Sequence, residues 1–298
     1  MAALREGFEA TFREDGLDEA AAREALGAFD AVLCTLGDAF TAEAFAGAGR
    51  ARLLANFGVG VNHIDLGAAR AVGIAVTNTP GAVTDATADV AIMLLLMAAR
   101  RAGEGERVVR AGRWTGWEPT QLLGRHVTGM TVGIVGFGRI GQAVARRAHL
   151  GFGMRVLYAA RSPKRPEVLA ERVALPELLA EADAVVLAVP GGAETRHLIG
   201  RREIAGMKPG AILVNVARGG VVDEEALADA LEAGRLGAAG LDVHEGEPAV
   251  NARLLALETA VLLPHLGTAT LAVRESMGAM AIANLVALRD GRELPNPV

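Results

Sequence analysis

Thr131-Val132-Gly133-Ile134-Val135-Gly136-Phe137-Gly138-Arg139-Ile140-Gly141-Gln142-Ala143-Val144-Ala145-Arg146-Arg147 is the stretch that decides the fold. A β-branched run passes straight into G-x-G-x-x-G and a helical segment follows, which is the context a dinucleotide-binding turn demands. Gly136 permits the tight turn, Gly138 lets backbone amides approach a pyrophosphate, and Gly141 lets the helix lie close to the sheet. The helix N-terminus adds N–H groups and a partial positive charge. Gly136, Phe137, Gly138, Arg139, Ile140 and Gly141 are therefore the expected cofactor loop.

The next strand, Arg155 to Tyr158, runs on into Ala159-Ala160-Arg161-Ser162-Pro163-Lys164-Arg165. NAD calls for a carboxylate about 20 residues beyond the glycines, to accept hydrogen bonds from the adenosine ribose. None stands here. An arginine beside a hydroxyl can instead grip a 2′-phosphate, so Arg161 and Ser162 favour NADP(H) over NAD(H).

Around this unit the chain alternates short apolar runs with helix-like segments, as parallel strands joined by crossover helices do. Strands are expected at Ala31–Leu36, Leu53–Asn56, Ile74–Thr77, Thr131–Val135, Arg155–Tyr158, Ala184–Val189, Ile212–Val216, Ala238–Asp242 and Val261–Leu263. Helices are expected at Thr84–Arg101, Gly141–His149, Pro176–Ala182 and Glu224–Ala233. The fold class is α/β, with two doubly wound, Rossmann-like parallel sheets on either side of about residue 100. Thr84 is a candidate N-cap. The helix it opens is apolar nearly all round, so its burial calls for packing between domains, between subunits or within a core. Arg100 to Gly129 holds both tryptophans, Trp114 and Trp117, and reads as a connection with special packing.

Composition narrows the function. The 298 residues are 51% hydrophobic, enough for two domains with full cores. A net charge of −5 argues against nucleic acid as partner. The opening residues carry no secretory pattern, and the longest apolar run, Val90–Ala99, is half the length of a membrane span; the expectation is a cytoplasmic protein with no membrane partner. The lone cysteine, Cys34, sits in the apolar run Ala31–Cys34, so disulfides and thiolate metal sites drop out and no metal is expected.

Three isolated polar residues close apolar runs in the second half: Arg218 after Ile212–Ala217, Glu247 in Gly240–Pro248, and His265 in Val261–Thr268. Ligands of open α/β sheets bind beyond the carboxyl ends of the strands, where all three fall. Together with Asn56–Asp65, Thr77–Gly81, Gly136–Gly141, Ala217–Gly220 and Pro264–Thr270, they resemble the D-isomer-specific 2-hydroxyacid dehydrogenases, nearest the glyoxylate and hydroxypyruvate reductases. The resemblance runs from about Leu26 to the C-terminus.

That resemblance implies reduction of a small 2-oxo acid to the D-2-hydroxy acid. His265 would be the proton donor, since imidazole holds and releases a proton near neutrality. Glu247 would stabilise and orient it, and Arg218 would hold the substrate carboxylate and polarise the carbonyl. Backbone N–H groups of Val59 and Gly60 would complete the substrate cradle. Asp242 would receive the nicotinamide carboxamide, with Ala217 and Gly267 also against the cofactor. The family pattern further implies a substrate domain of residues 1–82 plus 269–298, flavodoxin-like, and a dinucleotide domain of residues 83–268, hinged near Ala82 and Thr268. It implies a homodimer in which Trp117 reaches the partner's site. His63 and His244 take no proton-transfer role. The family's opening strand and helix, roughly 20 residues, have no counterpart before Phe8. Two alternatives stay open: an NAD-linked reductase of another 2-oxo acid, such as phosphohydroxypyruvate or phenylpyruvate, and a nucleotide-sensing corepressor that binds protein partners.

Overall fold

The computed structural model describes residues 2–47 and 49–298, and the chain falls into two compact units, Met1–Val83 with Thr270–Val298, and Thr84–Ala269. The first crossing comes at Val83 rather than near residue 100, because the helix Thr84–Ala99 packs on the second sheet.

In the first unit, β1 (Ala31–Cys34), β2 (Leu53–Asn56) and β3 (Ala75–Thr77) form a parallel sheet in that order. Val32, Cys34, Leu54 and Val76 share one apolar cluster with Ala22, Leu26, Phe40 and Phe45. Their neighbours Ala31, Leu33, Leu53 and Ala55 share another with Leu285 and Leu288 of the helix Leu271–Arg289. Alternation with period two sends successive side chains to opposite faces, so both faces need a cover. Before β1 lie the helices Ala2–Gly7 and Glu19–Ala28 and no strand among the described residues, so the reversal of a doubly wound sheet is confined to the second unit. The C-terminal helix Leu271–Arg289 is long and apolar enough to cross a membrane by length and composition alone, which no scan for unbroken apolar runs detects. Here its Met277, Ala281 and Leu285 are buried, and it packs on β2.

The second unit carries β4 (Thr131–Val135), β5 (Arg155–Ala159), β6 (Glu171–Arg172), β7 (Ala184–Leu187), β8 (Ile212–Asn215), β9 (Ala238–Leu241) and β10 (Ala260–Leu262). Their order is β10-β9-β8-β7-β4-β5-β6, all parallel, so the sheet reverses direction at β4. All carboxyl ends therefore lie along one edge. Val132, Ile134, Ala184, Val186, Ile212 and Val214 feed one core and Val135, Val185, Leu187 and Leu213 the other. Gly133 is a point of close approach: a Cβ there would sit 2.4 Å from Leu178 Cδ2 on the helix Leu175–Glu181.

Local differences have local causes. Thr84 is the first helical residue rather than the cap. Arg101 turns the chain with φ +51° into a second helix, Ala102–Arg110, inside the segment expected to be a connection. None of that helix is buried, so no apolar periodicity advertises it.

Candidate active site

The turn after β4 sits where the sheet reverses, the position at which open α/β sheets bind ligands. Gly136 has φ +92°, and a Cβ on it would lie 2.6 Å from the Ala188 carbonyl oxygen. One on Gly141 would lie 2.2 Å from the Gly136 oxygen. Only glycine closes this turn. Gly138 opens the helix Arg139–Phe152, and open space surrounds the place its Cβ would take. Open space at a 14-residue helix N-terminus fits a pyrophosphate. The Phe137 ring is buried and stacks on Tyr158 with centroids 4.0 Å apart, so only its backbone faces such a ligand. Arg139 and Ile140 supply the first helical turn.

Beyond β5, Arg161 and Ser162 lie on the surface. Arg161 Nη1 donates to Glu194 Oε2 at 2.9 Å, with both side chains about 85% exposed.

The ends of β8, β9 and β10 hold the titratable cluster. Asn215, buried at the end of β8, accepts from the Ala217 N–H at 3.0 Å and donates to the Arg218 carbonyl at 2.9 Å. This fixes the backbone from which Arg218 projects, and Nη1 of Arg218 donates to the Ala217 carbonyl at 2.7 Å. A Cβ on Gly191 would meet the Arg218 side chain at 2.5 Å, so that glycine makes room for it.

Asp242, one residue past β9, accepts from the N–H groups of Leu266 and Gly267 at 2.6 and 2.8 Å. Its own carbonyl accepts from the His265 N–H at 2.9 Å. These bonds hold His265 at φ +56°, a left-handed conformation that costs an L residue about 1–2 kcal/mol. Thr87 Oγ1 donates to the Gly267 carbonyl at 3.1 Å and closes the same turn from the helix Thr84–Ala99. From this strained position the His265 ring meets Glu247, with Nδ1 and Oε2 3.0 Å apart. Carboxylate oxygens only accept, so Nδ1 carries the proton and Nε2 is the other titrating atom.

Electrostatics follow from burial and these bonds. Burial pushes the Glu247 carboxyl up, but hydrogen bonds from His265 and the His244 N–H outweigh it and keep the carboxyl below its ordinary range. Asp242 shifts the other way, since burial outweighs the two amides it accepts from. Burial also pushes Arg218 down, and the negative charge of Glu247 opposes that. The result is a neutralisable ring flanked by a firm anion, next to a desolvated cation.

Arg218, Glu247, His265, Asp242, Ala217 and Gly267 are thus brought to one edge of one unit, and the glycine turn shares that edge. Trp117 is 80% exposed and packs against none of them. Val59 and Gly60 belong to the first unit, after β2, where Asn56 Nδ2 donates to the Gly58 and Gly60 carbonyls at 3.0 Å and Asn78 Nδ2 to the Val59 carbonyl at 2.9 Å. Sequence reasoning passed over Asn215, Asn56, Thr87 and Gly191. The first two share one available signal, an asparagine closing an otherwise apolar strand. Among the described residues no group of three or more His, Cys, Asp or Glu could hold a metal ion.

Residues 92–267 match the family model described as D-isomer specific 2-hydroxyacid dehydrogenase, NAD binding domain. A glyoxylate reductase of Thermococcus gammatolerans is 49% identical over 276 residues, covering 90% of this chain and 82% of that protein. Among solved structures, a glyoxylate reductase from Paecilomyes thermophila is 38% identical with a TM-score of 0.90, covering 100% of this chain and 93% of that one. An NADPH-dependent glyoxylate/hydroxypyruvate reductase from Sinorhizobium meliloti, in complex with NADP and malonate, is 34% identical with a TM-score of 0.91, covering 100% and 92%. Parallel sheets, the glycine turn at the reversal and these likenesses agree: the chain belongs to the D-isomer specific 2-hydroxyacid dehydrogenase family.

Proposed function

We propose that this protein reduces glyoxylate or hydroxypyruvate to the D-2-hydroxy acid, prefers NADP(H), and works as a homodimer. The observation that carries the reading is the His265 Nδ1 to Glu247 Oε2 contact of 3.0 Å beside the desolvated Arg218. The turn Gly136–Gly141 would hold a nicotinamide cofactor, which when bound would supply the hydride. His265 gives its Nε2 proton to the carbonyl oxygen while Glu247 balances the charge on the ring and fixes its direction. Arg218 binds the substrate carboxylate and the reacting oxygen, and its desolvation strengthens its pull on developing negative charge.

Supporting assignments rest on the same chemistry. The N–H groups of Val59 and Gly60 take the carboxylate, in a turn whose carbonyls are tied down by Asn56 and Asn78. Asp242 accepts from the nicotinamide carboxamide. Arg161 and Ser162 take the 2′-phosphate, a reading supported by the carboxylate-free end of β5 and by the NADP in the Sinorhizobium meliloti reductase. Apolar surface on the second unit supports the dimer: Trp114, Trp117, Val109 and Leu123 are all more than half exposed, and Ile92, Met93, Leu96, Met97 and Phe152 line an open groove. The helix expected to be apolar all round thus keeps one face unburied within the chain.

A spectrophotometric panel of NADPH and NADH against glyoxylate, hydroxypyruvate, pyruvate and phenylpyruvate tests the proposal. Rapid NADPH oxidation with the first two is expected. Turnover confined to pyruvate and phenylpyruvate would overturn the substrate, and turnover confined to NADH would overturn the cofactor.

A further inference from the structure

Glu224 and His244 are buried titratable residues outside the proposed chemistry, and both lie directly beneath it. His244 touches the segments of all three residues assigned to that chemistry. Its N–H donates to Glu247 Oε1 at 2.9 Å, on the carboxylate whose other oxygen meets His265. Its ring Nε2 lies 3.0 Å from the carbonyl of Leu263, two residues before His265; a carbonyl only accepts, so Nε2 is the donor. Its own carbonyl packs on Gly219, the residue after Arg218, so closely that a Cβ there would fall 2.0 Å from the oxygen.

Nδ1 of His244 is buried without a hydrogen-bond partner among the described residues, and Glu224 Oε1 stands 3.9 Å away. That oxygen is engaged by the Glu245 N–H at 2.9 Å. A buried polar ring with one side bonded and the other facing a carboxylate is costly compared with an apolar ring of the same size. A phenyl ring would fill the space and keep the backbone N–H to Glu247, but would leave the Leu263 carbonyl, two residues before His265, without its donor.

We infer that His244 is a positioning residue that sets the distance between His265 and Glu247 by tying the Leu263 carbonyl and the Glu247 carboxylate to one rigid ring and its backbone. Glu224 anchors the following residue from the helix Glu224–Glu232 and keeps the loop from rotating. The charged groups around this ring are Glu224 on that helix and Glu247 on the loop, with Arg218 beyond Gly219. The inference rests on His265 as the proton donor proposed above.

The test compares wild type with His244→Phe and His244→Gln, since a glutamine amide nitrogen can reach where Nε2 sits and a phenyl ring donates nothing. A misplacement of about 1 Å in a reacting pair can cost about 100-fold. His244→Phe should therefore lower kcat with glyoxylate by about 10- to 100-fold and leave NADPH affinity unchanged. It should also erase the downfield proton NMR signal of His265 Nδ1 in the protein without substrate. His244→Gln should recover most of kcat and the signal. Equal losses in the two variants, a parallel fall in NADPH affinity, or a signal that persists in His244→Phe would each overturn the inference. Should the phenylalanine variant not fold, His244→Asn, too short to reach the Leu263 carbonyl, takes its place with the same expected losses. The proton signal needs no turnover: a Phe/Gln contrast there without glyoxylate reduction would sink the proposed substrate and support the positioning role.

Discussion

The turns after β8 and after β5 leave the same edge of the second sheet, yet the buried Asn215 ties the first with two hydrogen bonds while Arg161 in the second is 85% exposed and holds a single ion pair. At the β8–β10 end nearly every polar atom has a partner, His265 is kept in a left-handed conformation, and glycines at 191 and 219 are packed too tightly to accept a Cβ. At the β5 end nothing is strained or desolvated. Groups that must act on a transition state need fixed positions before it forms, whereas a group that selects a multiply charged cofactor needs only charge within reach. The contrast implies large, all-or-none effects at one turn and small, salt-sensitive ones at the other.

The sharpest way to break the contrast is at the rigid end. His265→Ala should lower kcat for glyoxylate by about 10²- to 10⁴-fold in steady-state assays at neutral pH, the usual worth of a general acid. Near-normal turnover would mean that the strained histidine is structural only. Glu247→Gln comes next. A neutral amide no longer balances charge on the ring, so kcat should fall by about 10- to 100-fold in the same assay.

The same variant has a signed effect on stability. The folded carboxyl titrates below its ordinary range, so its stabilising contribution is complete above the unfolded value and is lost as pH falls through the folded one. Denaturant midpoints of wild type and Glu247→Gln should therefore differ most near neutrality and converge in acid. A gap that widens in acid would contradict the direction of the shift.

Both turns were visible in the sequence because each follows an apolar run and leads into an arginine. β4 and β2 keep their expected bounds, and the other apolar strands shift by at most a residue or two. β6, Glu171–Arg172, is two exposed polar residues and has no pattern to find. The short helices escape likewise: Ala102–Arg110 buries nothing, and Ala42–Phe45 is a single turn. Arg218, Glu247 and His265 could be picked out as charges that close buried strands. Thr87 and His244 could not be given roles, because each acts through a backbone group that only the folded chain brings near. Thr87, for one, bonds a carbonyl 180 residues away.

At the soft end the expected effects are no larger than that of Glu247→Gln and are selective between the two cofactors. Arg161→Ala should raise the KM for NADPH by about 10- to 100-fold, the worth of charge-assisted hydrogen bonds to a phosphate, and leave that for NADH unchanged. Equal losses for both cofactors would remove the 2′-phosphate role. The pairing with Glu194 adds the finest test. An ion pair this exposed is held weakly, so a phosphate that carries more charge and three acceptor oxygens displaces it at little cost. Glu194→Gln should then tighten NADPH binding by no more than about two- to five-fold at low salt, with the gain shrinking as salt screens the surface. If the variant instead weakens NADPH, Glu194 is holding Arg161 in place for the phosphate, and the β5 turn is prearranged after all, like its counterpart at β8.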